Sequence, residues 1–146
     1  MHTYVPLISS SVAGPLGVLH LPRLWLKSSL EAQGKLATGY PGCGKGYDQM
    51  VIDGLGLKRD EVLAFIKTSK PTYPQFETWV KKHATKLDQA SIDKLNAAIK
   101  GYIHDDATRK SVLGAAGIPD DAHACKDAVN LNNLDDWKEF YDAELK

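Results

Sequence analysis

The sequence predicts an all-α fold, a single-domain irregular helical bundle with an extended N-terminal arm. Apolar residues recur at three- and four-residue spacing in segment after segment, as one buried helix face requires. Residues that start and stop helices bracket these segments, with Pro22 and Thr72 ahead of two of them and Gly117 and Pro119 behind another. No stretch shows the repeated alternation of a sheet-forming sequence, and no internal repeat or low-complexity tract is present.

Residues 1–19 carry turn-like steps around Pro6, Gly14, Pro15 and Gly17. Their Val, Leu and Ile side chains would be costly to leave in water, so the segment reads as an ordered arm or lid. Pro22 then suits the first position of a helix, where its missing N–H costs nothing and its fixed φ is already helical. That helix runs through Leu30 and ends near Gly34. His20, Arg23 and Lys27 fall at i, i+3 and i+7, three basic groups pointing one way, while Leu24, Trp25 and Leu30 are offered for burial. Two readings of the basic face compete: solvated Lys and Arg beside a capping or core His, or an anion-binding face.

The glycine-rich loop from Gly39 to Asp48 formally contains G-x-x-x-x-G-K, the opening of a phosphate-binding loop. The match fails on chemistry. Gly46 stands where magnesium needs a Ser or Thr, and no apolar strand precedes the loop. The glycines instead predict a tight loop that brings Tyr40, Cys43 and Asp48 close to the preceding helix.

A short helix is expected over Tyr47–Leu55, with Met50, Val51 and Leu55 inward and Asp48 either capping it or pointing into a site. The next, Arg59–Thr68, has an apolar stripe of Val62, Leu63, Phe65 and Ile66, with Asp60 and Glu61 favoured by the dipole in its first turn. Thr72 and Gln75 have capping-box spacing for a helix near Pro74, and Phe76, Trp79, Val80 and His83 line one of its faces, making His83 a core or boundary residue. Asp88 to about Tyr102 repeats Ile92, Leu95, Ile99 and Tyr102 at helical spacing. A helix over Ala107–Ala115 follows, with Asp105 or Asp106 as its cap and Gly117 and Pro119 as its stop. Asp120, Asp121, His123, Cys125 and Asp127 then cluster in a polar stretch, but no partner cluster of metal-ligand spacing accompanies them. Asn133 is expected to cap a closing helix, Leu134–Leu145, whose Leu134, Trp137, Tyr141 and Leu145 dock on the core.

At 146 residues the chain is long enough for one self-sufficient core spanning residues 1–146. Its 18 basic and 18 acidic residues cancel, and no basic cluster replaces the missing net charge, so nucleic acid is not an expected partner. Two cysteines far apart suit a reducing compartment. The first residues lack a basic region and are broken by Pro6, Pro15, serines and glycines, unlike a signal or a membrane span. A soluble, cytoplasmic protein without membrane contact is expected.

The motifs L-P-R-x-x-x-K at Leu21–Lys27, Tyr40-Pro-x-Cys-Gly-x-Gly-Tyr-Asp48 and D-G-L-G-L at Asp53–Leu57 resemble the uncharacterised bacterial family catalogued as domain of unknown function 5069. Asp135-Asp136-Trp137 is similar to that family's acidic and aromatic tail. Leu26 departs from the pattern, since the family often has an acid just before the motif lysine. The resemblance implies domain identity and names no activity.

The residues point first to a small enzyme of isomerase or lyase type, with no cofactor or metal, acting on a polar carbonyl- or carboxylate-containing metabolite. In it Arg23 would grip a carboxylate or phosphate, with His104 and Asp105 as further substrate contacts. Lys27 would add charge or act as base or amine nucleophile, and Tyr40 and Asp48 would transfer protons, assisted by His20. Cys43, with Lys45 or His20 near, is the alternative nucleophile. The competing reading is a non-catalytic module that binds a small molecule or a protein, and a third is a purely structural fold.

Overall fold

Local capping chemistry sets four of the seven α-helix starts among the described residues. The computed structural model of the protein describes residues 2–146 and contains α1 (Leu21–Ala32), α2 (Tyr47–Gly54), α3 (Arg59–Ser69), α4 (Tyr73–His83), α5 (Gln89–Gly101), α6 (Asp106–Ala116), α7 (Ala128–Phe140) and a closing π-helical turn, Tyr141–Leu145. Thr72 and Gln75 cap α4 reciprocally, each side chain accepting from the other's backbone N–H. Asp88, Asp105 and Asp127 cap α5, α6 and α7, each taking the backbone N–H three residues ahead. Gly117 ends α6 at φ 73°, a left-handed position that glycine adopts without strain. The fold is all-α; among the described residues only isolated bridges form, such as Tyr4 with Leu36 and Ile103 with Asp127.

One core joins α1 to α5. Leu21 and Leu24 meet Val51, Ile52 and Leu55 of the α2 region, Val62 and Ile66 of α3, Phe76 and Val80 of α4, and Ile92, Leu95 and Ile99 of α5. Helix α6 buries Leu113 and packs on α7, which reaches the core through Ala128 and Val129. The α6–α7 pair therefore lies over the five-helix core, and a crevice remains between them.

The arm, residues 2–19, forms no helix, turns at Ser10–Ser11 and Pro15–Leu16, and is held by polar groups from the helices. Buried Glu77 accepts the Leu16 N–H and the Tyr73 hydroxyl, and Asn96 accepts from Leu19 N and donates to Gly17 O. Gly14 permits the contact with α4, since a Cβ there would clash with the Glu77 carboxylate. No helix of the described residues is long and apolar enough to cross a membrane.

Three expectations are corrected. Helix α7 starts after Asp127, not Asn133, because the Asp127 carboxylate takes the Asn130 N–H and Leu131 has to be buried. Trp137, Tyr141 and Leu145 do not dock on the core but are 60%, 51% and 65% exposed. The buried stripe of α7 runs through Ala128, Leu131 and Asp136, and holding Asp136 inward turns Trp137 out. His83 is exposed at the end of α4, stacked on Trp79 at 4.2 Å with its Nδ1 bonded to Trp79 O.

These placements set a contrast in stability. Phe76→Ala, in a fully buried site, is expected to lower the unfolding free energy by about 3–5 kcal/mol, and Trp137→Ala to change it by no more than about 0.5 kcal/mol. Urea unfolding of the two variants measures both.

Candidate functional site

Helix α1 turns its basic face inward, where each charge meets a partner. Arg23 forms a two-pronged pair with Asp136 of α7, Nη1 donating to Oδ2 at 2.7 Å and Nη2 to Oδ1 at 3.0 Å. Its Nη1 also donates to Pro6 O and Ile8 O, so one guanidinium ties the arm, α1 and α7 together. Lys27 donates from Nζ to Asp48 Oδ2 at 2.7 Å. His20, the residue ahead of α1, takes the left-handed region at φ 70° with a buried ring, a backbone conformation costly for a non-glycine residue. Its Nε2 lies 2.6 Å from Asp48 Oδ1 and its Nδ1 2.8 Å from Ser10 Oγ.

These contacts fix the protonation of the cluster. Burial pushes the Asp48 carboxyl up, but the hydrogen bond and charge of His20, and then Lys27, outweigh it and bring the carboxyl down to about 2. An ionised Asp48 only accepts, so His20 Nε2 carries the proton. Burial lowers the His20 pKa against the raising effect of Asp48, and Nδ1 pairs with the Ser10 hydroxyl.

The glycine-rich loop is built onto the same carboxylate. Gly44 N donates to Asp48 Oδ2 at 2.7 Å, Ser28 Oγ donates to Gly42 O, and Gly42 N donates to Glu31. Arg59 of α3 holds the loop from beneath through Gly44 O, Cys43 O and Gln49 Oε1. At the other end of the loop, the Tyr40 hydroxyl donates to Asp136 Oδ1 at 2.9 Å.

Loop, α1, the start of α2 and one face of α7 enclose a half-open cavity of about 310 Å³. Six residues singled out by sequence line it: His20, Arg23, Lys27, Tyr40, Asp48 and His104. Lys45 lies at its rim, and α2 begins there without a side-chain cap, leaving backbone N–H groups near the opening. From α7 come Ala128, Asn132 and Asp135, at i, i+4 and i+7. The Asp135 carboxyl is half-buried and makes no side-chain hydrogen bond among the described residues; burial raises its pKa, helped by Glu139 and Asp136.

Several expected roles change with these positions. The basic face of α1 is not solvated, and Arg23 is already spent on Asp136 and two carbonyls, so it frames the cavity rather than gripping a ligand's carboxylate. Asp48 does not cap α2, and as a carboxylate held down to about 2 it is unsuited to proton transfer near neutral pH. The Tyr40 phenol is pushed up by burial and by Asp136, which makes it a donor and not a proton-transfer group. Cys43 is buried away from the cavity lining, and burial, followed by Asp48, pushes its thiol up to about 11, the reverse of an activated nucleophile. Asp105 is exposed outside the cavity, where its carboxylate caps α6 by accepting Thr108 N.

Sequence reading passed over Asp135, Asn132, Tyr47 and Tyr102 in the lining, and Ser10 and Asp136 as partners. The helical spacing of Ala128, Asn132 and Asp135 was a usable signal for α7; nothing local to Ser10 foretold its meeting with His20. No family model matches the chain, and no curated protein matches it.

The Asp48 pair has a pH signature. Its folded pKa of about 2 lies below the ordinary 3.8, so the stability it contributes, about 2 kcal/mol, is complete above about pH 4 and is lost as the pH falls toward 2. The stability gap between the protein and Asp48→Asn should shrink over that range in urea unfolding. For the thiols, iodoacetamide at pH 8 should alkylate half-buried Cys125 well before Cys43, as peptide mass mapping would read directly.

Proposed function

We propose that the cavity binds a small carboxylate- or carbonyl-bearing metabolite and that the protein moves a proton on it, as an isomerase or lyase does. One observation carries this reading: Lys27, only 7% exposed and with donor hydrogens beyond the one given to Asp48, lines the same cavity as the unpartnered, upward-shifted carboxyl of Asp135. Those are the two groups such chemistry needs. An ammonium in a water-poor site stabilises charge developing on a carbonyl oxygen, and a carboxylate of raised pKa accepts a proton from the neighbouring carbon.

The steps follow from these roles. Lys45 and the uncapped start of α2 draw in the anionic end, and His104, held through Nε2 by Asn132 Oδ1, lends its ring to the wall. Asp135 takes the proton from the carbon beside the carbonyl, and the electron pair passes to the oxygen facing Lys27. Returning the proton to a different carbon completes an isomerisation; expelling a leaving group from the next carbon completes an elimination. Arg23, His20 and Asp48 hold the geometry. The two free cysteines support a reducing, cytoplasmic setting. The kinship proposed from the Leu21–Asp48 motifs adds no activity of its own.

A binding module without catalysis is the second reading, favoured by one observation: Asp48, Arg23 and both ring nitrogens of His20 already have partners inside the protein. Incubating the protein with a panel of 2-oxo acids in D2O separates the two. Deuterium should enter the carbon next to the carbonyl of at least one acid that raises the melting temperature, and Asp135→Asn should slow that exchange by about 100-fold or more. Binding with no exchange by the unaltered protein would leave the binding module.

A further inference from the structure

We infer that the ligand carries a flat unsaturated ring as well as its anionic group, which makes it an aryl- or heteroaryl-bearing carboxylate whose ring is joined through the carbon that loses the proton; simple ring acids serve as its binding probes. The inference rests on the reading of this cavity as a site for a small anionic metabolite, and it names the class.

One end of the cavity is walled by rings. Tyr47, Tyr102 and His104 all line it, with centroids 5.6 Å apart from Tyr47 to Tyr102 and 5.9 Å from Tyr102 to His104, both edge-on. The ring of His20 continues the series behind Tyr47 at 5.3 Å. Each residue is fastened by a hydrogen bond that does not involve a ligand. The Tyr47 hydroxyl donates to Ile99 O, Tyr102 O accepts Ala128 N, and His104 Nε2 meets Asn132 Oδ1. Two of the three rings, Tyr47 and His104, are held at their own polar atoms and cost little to organise when a ligand arrives.

Tyr102 gives the wall a purpose. It is 44% exposed and lines the cavity, although α5 ends on it and its neighbours are aromatic. Aromatic rings prefer edge-to-face or offset contact with another ring, a preference that a saturated ring of similar size does not share. The cationic groups Lys27 and Lys45 border the same space. At about 310 Å³ the cavity lies near the lower bound of small-molecule sites, roughly 300–1,000 Å³, which suits one ring with one acidic substituent.

Calorimetric titration with benzoate, nicotinate, cyclohexanecarboxylate and acetate tests the class. Benzoate or nicotinate should bind at least about tenfold more tightly than cyclohexanecarboxylate, because the saturated ring matches size but not π character. Tyr102→Ala should abolish this preference while acetate binding changes by less than about twofold, and Tyr102→Phe should retain it. Equal affinities for the aromatic and saturated acids, or an equal loss for all four in Tyr102→Ala, would overturn the ring inference and leave the anion site standing. If none of the four binds, or if Lys27→Met leaves their binding unchanged, the anion-site reading fails and the ring inference falls with it.

Discussion

The structure depends on burying the charged face of one helix. Moving an ammonium and a guanidinium out of water is costly, and each is tolerable only with an opposite charge at hydrogen-bond distance. Asp48 answers Lys27 and Asp136 answers Arg23, at 2.7 Å in both cases. Those two requirements dictate much else: the glycine loop has to approach α1 closely enough to present Asp48, and α7 has to rotate until Asp136 faces inward. The exposure of Trp137 and the shape of the crevice are consequences of that rotation.

The same pairs divide the charged residues into two populations. Asp48, Asp136, Arg23 and His20 satisfy one another and build a rigid surround. Lys45, Asp135 and the spare donors of Lys27 remain directed to a half-open cavity. For the proton transfer proposed above, a site in which most charges are pre-paired and a few are left over would support electrostatic catalysis, since the surround would not reorganise as charge develops. Arg59 and the left-handed His20 belong to the surround: one fixes the loop from beneath, the other spends backbone strain to join the arm to Asp48 through Ser10.

Most of the fold was legible because it rests on short-range chemistry. The Thr72–Gln75 box, Asp88 and the Gly117 stop act within a few residues of themselves, and α3, α4 and α5 follow their apolar periods closely. The convergence of His20, Arg23 and Lys27 with Tyr40 and Asp48 could also be read, from helical spacing followed by a tight loop. What escaped was long-range. Whether a lysine at i+7 is solvated or buried depends on a carboxylate 21 residues away, and Arg23 finds Asp136 at a separation of 113. The start of α7 was misplaced because Asp127 and Asn133 offer equivalent local capping chemistry, and the choice between them falls to the burial of Leu131 and Asp136. Asp135 and Cys43 show the same limit from the chemical side, since their reactivity is set by surroundings that no local pattern encodes.

A double-mutant cycle across Arg23 and Asp136 tests the central claim most directly. Arg23→Met and Asp136→Leu should each cost about 3–5 kcal/mol, as each strands a buried charge, while the double variant should recover at least about half of the summed loss by removing both. Losses that simply add, or single variants within about 1 kcal/mol of the original protein, would mean that the inward face of α1 does not hold the structure together.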